Sequence, residues 1–535
     1  MPLAVKEEKI SDITNALLES IRETPVLELT EEAKEIIETG YGKCDFILNH
    51  RVIGKFEQSL PFSHSIKDRA AVYMLVNALE SGEINASTKF IVEATSGNMG
   101  IALAKASRQI GLPVLVIVSR RIEEGVIREL ESAGAQIVLL NTEICPVPGA
   151  NESVSIEQAS FELEKIKEAL AKVGVAIDYK EGEDEIIMAL KENDAIKVAK
   201  LVAKVYGGFC PRQYENPANY LAHVATTAPE VEHALKAIKA DPHLTTLFLS
   251  AGTLGTALGF LLYYSKGGST PLIEIVFPKD GQDVPGIRTK KSVEELPFYK
   301  ELVRLQERKE VKQVVFSEVD YLKEGMLVYA NTGIGIGPSA SLAFAAAITS
   351  IRENEEIARM LAENKLNEAL NRYDAYRVEM VKTALSLSEP LVYFVMMPDG
   401  KEKYKSKTRE VSVEEARALI KIGYSLAWVY PRELDEKTKE AIAERLGIDK
   451  GSIEEIGEEA LDVLSAYYYE EATYHAKLEK LMKRLERAGK NVIFLCPHGN
   501  TSKLVADIIN ESKGEKDLQV CSLYGGSEGI LAGSE

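Results

Sequence analysis

Residues 90–118 read FIVEATSGNMGIALAKASRQIGLPVLVIV, and the reading of this stretch decides the fold. Phe90-Ile-Val-Glu is a predicted strand, Met99 to Gln109 a helix, and Val114-Leu-Val-Ile-Val a second strand. Short runs that are apolar along their whole length are buried on both faces. That is the mark of a parallel sheet covered by crossover helices. Working outward, Gly125 to Ala133 reads as a helix and Ile137-Val-Leu-Leu as another strand. The alternation returns at Thr245-Thr-Leu-Phe-Leu-Ser, then a glycine-rich turn, a helix to about Tyr264, and Ile273-Glu-Ile-Val-Phe. The fold class is α/β.

Between these halves, about Thr142 to Val205, Glu, Lys and Ala dominate, and the segment is expected as a helical insertion on the surface. Beyond about Ser350 the character changes to long charged helices, such as Glu470 to Ala488. The short strands Leu391-Val-Tyr-Phe-Val and Val492-Ile-Phe-Leu are interspersed among them. A chain of 535 residues exceeds one hydrophobic core. The expected division is a catalytic core over 1–350 and a C-terminal α+β domain over 351–535 without an assigned role, the boundary falling within 350–390.

A formal charge of −18 argues against nucleic acid as a partner, because phosphate backbones attract basic surfaces. It leaves room for a small anionic ligand in a locally positive site. No run approaches the length of a membrane span, and the N-terminus lacks a signal peptide's apolar core. A cytoplasmic protein with no membrane partner is expected. The five cysteines, Cys44, Cys145, Cys210, Cys496 and Cys521, form no metal-type pair. Cys496-Pro-His-Gly-Asn500 is half a metal site at best, and a structural turn is the plainer reading. No metal is expected.

Three stretches carry chemistry. Ser250-Ala-Gly-Thr-Leu-Gly-Thr-Ala-Leu-Gly259 follows a strand and opens a helix, which aims backbone N–H groups at an anion. A tight turn without ligand, or a dinucleotide site, would read the same way. Phe62-Ser-His-Ser-Ile-Lys-Asp-Arg contains a lysine that becomes a Schiff-base nucleophile if it loses its proton. By itself it equally describes a charged helix start. Glu93-Ala-Thr-Ser-Gly-Asn-Met-Gly100 places small hydroxyl residues at a helix start, suited to a carboxylate or to simple capping.

Along the chain the lysine stretch comes first, the Thr-Ser-Gly-Asn stretch next and the glycine turn last. In that order they resemble the fold-type II pyridoxal-phosphate (PLP) enzymes, and within them the cysteine synthase and O-phosphoserine sulfhydrylase branch. Gln213-Tyr-Glu-Asn-Pro-Ala-Asn219 with Thr226-Thr-Ala-Pro-Glu, Thr24-Pro-Val-Leu, and Gly337-Pro-Ser-Ala-Ser-Leu-Ala343 are similar to further segments of that branch. The resemblance covers about residues 20–350. It implies two doubly wound αβα subdomains, pyridoxal 5'-phosphate as cofactor, and a homodimer. It further implies that Lys67 holds the cofactor as a Schiff base and that Asn98 bonds its 3'-oxygen. Gly252, Thr253, Leu254, Gly255 and Thr256 would cradle the phosphate, and Ser339 would face the ring nitrogen. Thr95, Ser96 and Gln213 would hold the substrate carboxylate. Two positions depart from the branch: Leu254 stands where a glycine is common, and Met99 replaces a common threonine.

The implied reaction is β-replacement on an O-activated serine, with sulfide as the incoming nucleophile and L-cysteine as the product. Asp283-Val-Pro-Gly-Ile-Arg-Thr-Lys-Lys291 holds the main basic cluster of the catalytic half, and it is similar to a segment of archaeal O-phosphoserine sulfhydrylases. A guanidinium suits a phosphate bidentately. Arg288 is therefore the expected substrate-phosphate ligand, with O-phosphoserine the preferred donor and O-acetylserine next. A solvated loop reads the same sequence without a ligand. The alternatives are a cystathionine β-synthase or serine sulfhydrylase, a threonine synthase or serine/threonine dehydratase, and a catalytically silent PLP-binding regulator.

Overall fold

The structure is a computed structural model. It describes residues 10–95, 97–119, 124–140, 155–265, 270–280, 282, 284–308, 314–401, 410–411, 413–430, 433–469, 471–488, 491–497, 500–512, 518–523 and 526–532. The chain forms two compact units, Met1–Tyr404 and Lys405–Glu535.

In the first unit the larger sheet contains β1 (Val26–Glu28), β2 (His50–Phe56), β6 (Thr245–Ser250), β7 (Leu272–Pro278), β8 (Val314–Val319) and β9 (Leu391–Met397). Their order is β1-β2-β9-β6-β7-β8. Apart from the antiparallel β1–β2 pair, every pairing is parallel. The smaller sheet, parallel throughout, is β3 (Ile91–Ala94), β4 (Val114–Ser119) and β5 (Gln136–Leu140) in sequence order. Each sheet has its own apolar core, as two αβα layers require.

The expected boundary needs correction. Every residue of β9 is buried, and the strand sits between β2 and β6, with Phe394 opposite both Ile53 and Leu247. The chain past residue 350 therefore returns to fill the middle of the sheet, and the division falls at 404/405. Most charged residues between 351 and 390 lie on the outer faces of helices, while Glu355 is buried and accepts the backbone N–H groups of Ile47 and Leu48. Val378, Met380, Val381 and Ala384 of the helix Ala375–Leu387 are buried. The helix Pro338–Ala362 is rich in alanine and almost entirely buried in its first half, so small side chains let it lie close against the sheet.

The insertion is also more than surface. Its helices, Ile156–Lys172, Glu183–Lys191 and Ala195–Tyr206, bury Leu163, Ile166, Leu170, Ile186, Leu190, Val198 and Val202 in the same core as β3–β5. Full burial of each such side chain contributes about 1.5–3 kcal/mol. The last helix leads to Phe209, which bridges Ile91 in parallel fashion at the edge of the smaller sheet.

The second unit holds β10 (Glu410–Val411), β11 (Ser425–Trp428), β12 (Ile453–Glu455), β13 (Asn491–Leu495) and β14 (Gln519–Leu523). The order is β10-β14-β13-β11-β12, with every pairing parallel. Successive residues of β13 enter different cores: Val492 and Phe494 one, Ile493 and Leu495 the other. That period of two marks a sheet covered on both faces. The extension is thus α/β, where the expectation was α+β. Cys496, at the end of β13, accepts the Ser502 backbone N–H at 3.4 Å, while His498 and Gly499 lie outside the described residues. No helix among the described residues is long and apolar enough to cross a membrane.

Candidate active site

Lys67 opens the helix Lys67–Glu80. The next residue, Asp68, is buried and accepts the backbone N–H groups of Phe62 at 2.7 Å and Ser63 at 2.8 Å, and also the Ser63 hydroxyl. Arg69, buried as well, donates to Glu57 Oε2 at 2.6 Å and to Glu230 Oε1 at 2.6 Å, while Lys55 Nζ meets Glu230 Oε2 at 2.6 Å. These contacts pin the preceding loop and the helix start in one geometry. Breaking such a buried pair by removing one partner costs about 3–5 kcal/mol. The acid and the base after Lys67 thus serve to position it. Lys67 is half-buried: desolvation of its amine pushes the pKa down, and the charge of Asp399 partly restores it. A neutral amine is what Schiff-base chemistry requires.

The glycine turn closes over this lysine. A Cβ on Gly252 would lie 2.7 Å from the Gly286 carbonyl oxygen and 3.5 Å from Lys67 Nζ, and one on Gly255 would lie 2.1 Å from Asn219 Oδ1. Both positions need glycine because backbone or a buried amide occupies the space. Leu254, which stands where the branch commonly has a glycine, takes the left-handed step at φ 68° and buries its side chain. The cost of that conformation, roughly 1–2 kcal/mol, is offset by the burial. Asn219 Nδ2 donates to Gln213 O at 2.6 Å and to Thr253 Oγ1 at 3.2 Å, joining the Asn-Pro-Ala-Asn segment to the turn. Thr256 Oγ1 lies 3.3 Å from His223 Nε2, and His223 Nδ1 lies 2.8 Å from Thr227 Oγ1. Burial and the nearby Arg69 and Lys67 charges hold that histidine's pKa well below its usual value, hence neutral.

A cavity runs along this turn, lined by Lys67, Ser250, Gly252, Thr253, Leu254 and Thr256 among others. Ser250 Oγ is buried there without a hydrogen-bond partner among the described residues. The unsatisfied hydroxyl, the glycine cradle and the start of the helix Gly255–Tyr264 fit a phosphate, and Lys67 fits an aldehyde beside it. The residues present therefore suit the expected cofactor.

Thr95 follows β3, is buried, and accepts the Gly97 N–H at 3.3 Å. Ser96 lies outside the described residues. Met99, the other departure from the branch, is buried in the core of the smaller sheet. Gln213 Nε2 donates to the Ala94 carbonyl at 3.0 Å, and its backbone N–H donates to Glu93 Oε2 at 3.1 Å. Burial raises the Glu93 carboxyl to about 7, against the opposing effect of the backbone N–H groups it accepts. Asn98 opens the helix Asn98–Ser107, and Ser339 stands in the first turn of Pro338–Ala362.

Sequence reasoning missed Asp399. It follows β9, is buried, and accepts from Asn98 Nδ2 at 2.8 Å and from Ser339 Oγ at 3.0 Å. A signal existed: Pro398-Asp399-Gly400 ends an apolar strand, and ligands bind at the carboxyl ends of parallel strands. Assigning that strand to the extension hid it. Arg288 is brought to the same place. Its backbone N–H donates to the Ala251 carbonyl at 2.9 Å, and its guanidinium lies 4.7 Å from the centre of the Tyr214 ring.

A family model described as "Pyridoxal-phosphate dependent enzyme" matches residues 18–361. Cysteine synthase B of Salmonella typhimurium is 26% identical over 224 residues, 42% of this chain and 57% of that protein. Cysteine synthase 1 of Emericella nidulans is 27% identical over 268 residues, 50% of this chain and 55% of that protein. The chain thus spans little more than half the length of these relatives. Among solved structures, an O-ureido-L-serine synthase aligns with TM-score 0.47 and 19% identity, over 72% of this chain and 91% of that one. The O-acetylserine dependent cystathionine beta-synthase of Helicobacter pylori aligns with TM-score 0.46 and 19% identity, over 72% and 96%. A family match over most of the first unit leaves the assignment plain: this chain belongs to the pyridoxal-phosphate dependent enzymes.

Proposed function

We propose that the chain forms L-cysteine by β-replacement on an O-activated serine, with sulfide as nucleophile and O-phosphoserine preferred over O-acetylserine. The observation that carries this reading is the half-buried Lys67 amine set against the glycine turn, with Arg288 anchored to the same segment at Ala251. When bound, the cofactor supplies an extended electron-accepting ring system. The rest is done by side chains of this chain. Lys67 would hold the cofactor and, once released by the incoming amine, take the proton from the substrate's α-carbon. Desolvation keeps that nitrogen ready to accept it. Thr95, Ser96 and Gln213 would hold the substrate carboxylate, and Asn98 would fix the ring by its 3'-oxygen. Gly252 to Thr256 would carry the phosphate. Arg288 would bind the leaving phosphate, its planar fork held against Tyr214.

The cysteine synthases among the relatives support this reading, as does the glycine turn with its half-buried lysine. A homodimer acting in the cytoplasm is part of the same proposal. The deciding experiment supplies the PLP-loaded protein with sulfide and either O-phosphoserine or O-acetylserine and measures cysteine. Formation from both, faster with the phosphate donor, is expected. Deamination to an oxo acid without cysteine would instead place the chain with the dehydratases.

A further inference from the structure

We infer that Glu93 is a positioning residue for the substrate carboxylate: its charged form holds Gln213 against Thr95, and a proton on it loosens that hold and weakens amino-acid binding. This rests on the proposed role of Thr95 and Gln213 and adds to it a residue of β3 that touches no substrate.

Glu93 reaches both segments through their backbones. Its Oε1 accepts the Ala94 N–H at 3.1 Å and its Oε2 the Gln213 N–H at 3.1 Å, and the Arg212 N–H adds to the stabilisation of its charge. Arg212 takes a left-handed step at φ 59°. Successive N–H groups turned to one side by such a step make an anion-binding hollow, and a carboxylate of the chain itself fills this one. Ala94, next to Thr95, returns the contact: its carbonyl accepts Gln213 Nε2 at 3.0 Å. An amide nitrogen carries two hydrogens, and the one not spent on Ala94 is the one a substrate carboxylate would take. On its other side Gln213 offers its carbonyl to Asn219 Nδ2 at 2.6 Å, and that amide reaches Thr253 Oγ1 at 3.2 Å in the glycine turn. Gln213 is thus fixed from both sheets, and Glu93 supplies the backbone hold from the smaller one.

The charge on Glu93 is held close to its balance point. Burial raises the carboxyl to about 7, against the N–H groups of Gln213, Ala94 and Arg212 and the charge of Lys200 in the helix Ala195–Tyr206. The other groups facing it are the Cys210 thiol, whose pKa burial and then the Glu93 charge push well above its usual value, and Arg212, whose guanidinium donates to Glu83 Oε2 at 3.3 Å. Its partner on β4 is the apolar Val116. A proton on either carboxyl oxygen puts a donor where backbone donors converge, and the N–H groups are left to share the lone pairs that remain. The charged acid also repels a substrate carboxylate. Its N–H partners and Lys200 damp that repulsion, so the positioning effect is the larger.

The test uses the full PLP-loaded chain and L-serine, whose hydroxyl leaves poorly, and reads binding from the change in visible absorbance between about pH 5.5 and 8.5. Glu93→Gln is the fixed counterpart of the protonated acid, with one acceptor oxygen and one donor group. Dividing the two dissociation constants cancels the titration of the serine amine. At the high end the wild type should bind roughly tenfold more tightly than Glu93→Gln, and at the low end the two should agree within about twofold. A constant ratio, or a wild type that gains affinity relative to the variant towards low pH, overturns the inference. Should Glu93→Gln fail to fold, the wild type alone decides. Its affinity, corrected for the amine, must fall roughly tenfold as pH drops through about 7, and a flat profile overturns the inference. Gln213→Ala separates the two readings. Weaker L-serine binding in that variant with a constant Glu93 ratio sinks the role of Glu93 alone. Unaltered binding removes the carboxylate site and, with it, any role for Glu93.

Discussion

Asn98 Nδ2 lies 2.8 Å from Asp399 Oδ2 although 301 residues separate the two in the chain. The contact exists because β9 runs in the middle of the larger sheet and delivers residue 399 to its carboxyl end, where the helix of Asn98 begins. A chain ending at residue 390 loses that strand and leaves β2 and β6 each without the neighbour that joins the two halves of the sheet. It should be insoluble or fail to take up PLP. A chain ending at residue 404 keeps the whole first unit and should remain coloured. Visible absorbance and circular dichroism of the two truncations decide the point. A coloured, folded 1–390 product would show that β9 is dispensable.

Lys67→Ala should remove the visible absorbance of the loaded enzyme and its cysteine-forming activity. The turn places Gly252 against this lysine's Nζ, and the same cavity carries the unsatisfied Ser250 hydroxyl. Borohydride reduction and peptide mapping give the direct check. A label on any other lysine would sink the site assignment.

The layered α/β fold was legible because β3, β4, β6 and β7 are short, apolar and bounded by helices of ordinary length. Those signals are local. What was hidden is nonlocal. Nothing in Leu391–Met397 says which strands will flank it, and the charged helices before it look like a change of domain. The insertion misled for a related reason. A helix with one apolar stripe reads as surface until its partner is known, and here the partner is the core of β3–β5. The site motifs were legible as turns and helix starts. Asp68 and Arg69 became intelligible as positioning groups only when folding brought Glu57 and Glu230 to them.

Asn98→Ala should lower turnover more than it weakens cofactor retention, since the turn from Gly252 to Thr256 would hold the phosphate. The amide also donates to Asp399, and a hydrogen bond to a charged group contributes about 1.5–3 kcal/mol. A loss of roughly ten- to a hundredfold in kcat follows, with a much smaller change in the dissociation constant for PLP. Unchanged turnover would reduce the Thr-Ser-Gly-Asn segment to a helix cap.

Glu93 gives the first unit a pH-dependent stability. Its carboxyl is raised from the ordinary 4.5 to about 7 by burial. Between those values the folded state holds a proton that the unfolded state has released, so stability falls as pH rises. The contribution is complete below pH 4.5 and lost by pH above about 7, a difference of about 3 kcal/mol. Glu93→Gln keeps the uncharged form at every pH and should flatten this slope. Denaturation midpoints at pH 5 and pH 8 for both proteins provide the check. Equal slopes would show that Glu93 is not buried as a neutral acid.

Arg288 carries the test of the donor. It is buried, its backbone tied to Ala251 and its guanidinium stacked on Tyr214, next to Gln213. If it binds the donor's phosphate, Arg288→Ala should lower kcat/KM with O-phosphoserine far more than with O-acetylserine. A bidentate, charge-assisted contact contributes roughly 2–3 kcal/mol, hence about thirty- to 150-fold. The acetyl donor offers no dianion, so only the shared loss of packing against Tyr214 should appear, a few-fold at most. Arg288→Lys separates charge from geometry: it keeps the cation and loses the planar fork, so it should recover only part of the phosphate-specific loss. Lys290 and Lys291 stand on the next helical turn, Lys290–Val293, and are the neighbouring cations of the same segment. The variant lacking all three cations therefore belongs in the same series. Equal losses with both donors, even in that variant, would make Arg288 a structural clamp on the glycine turn and would end the case for O-phosphoserine.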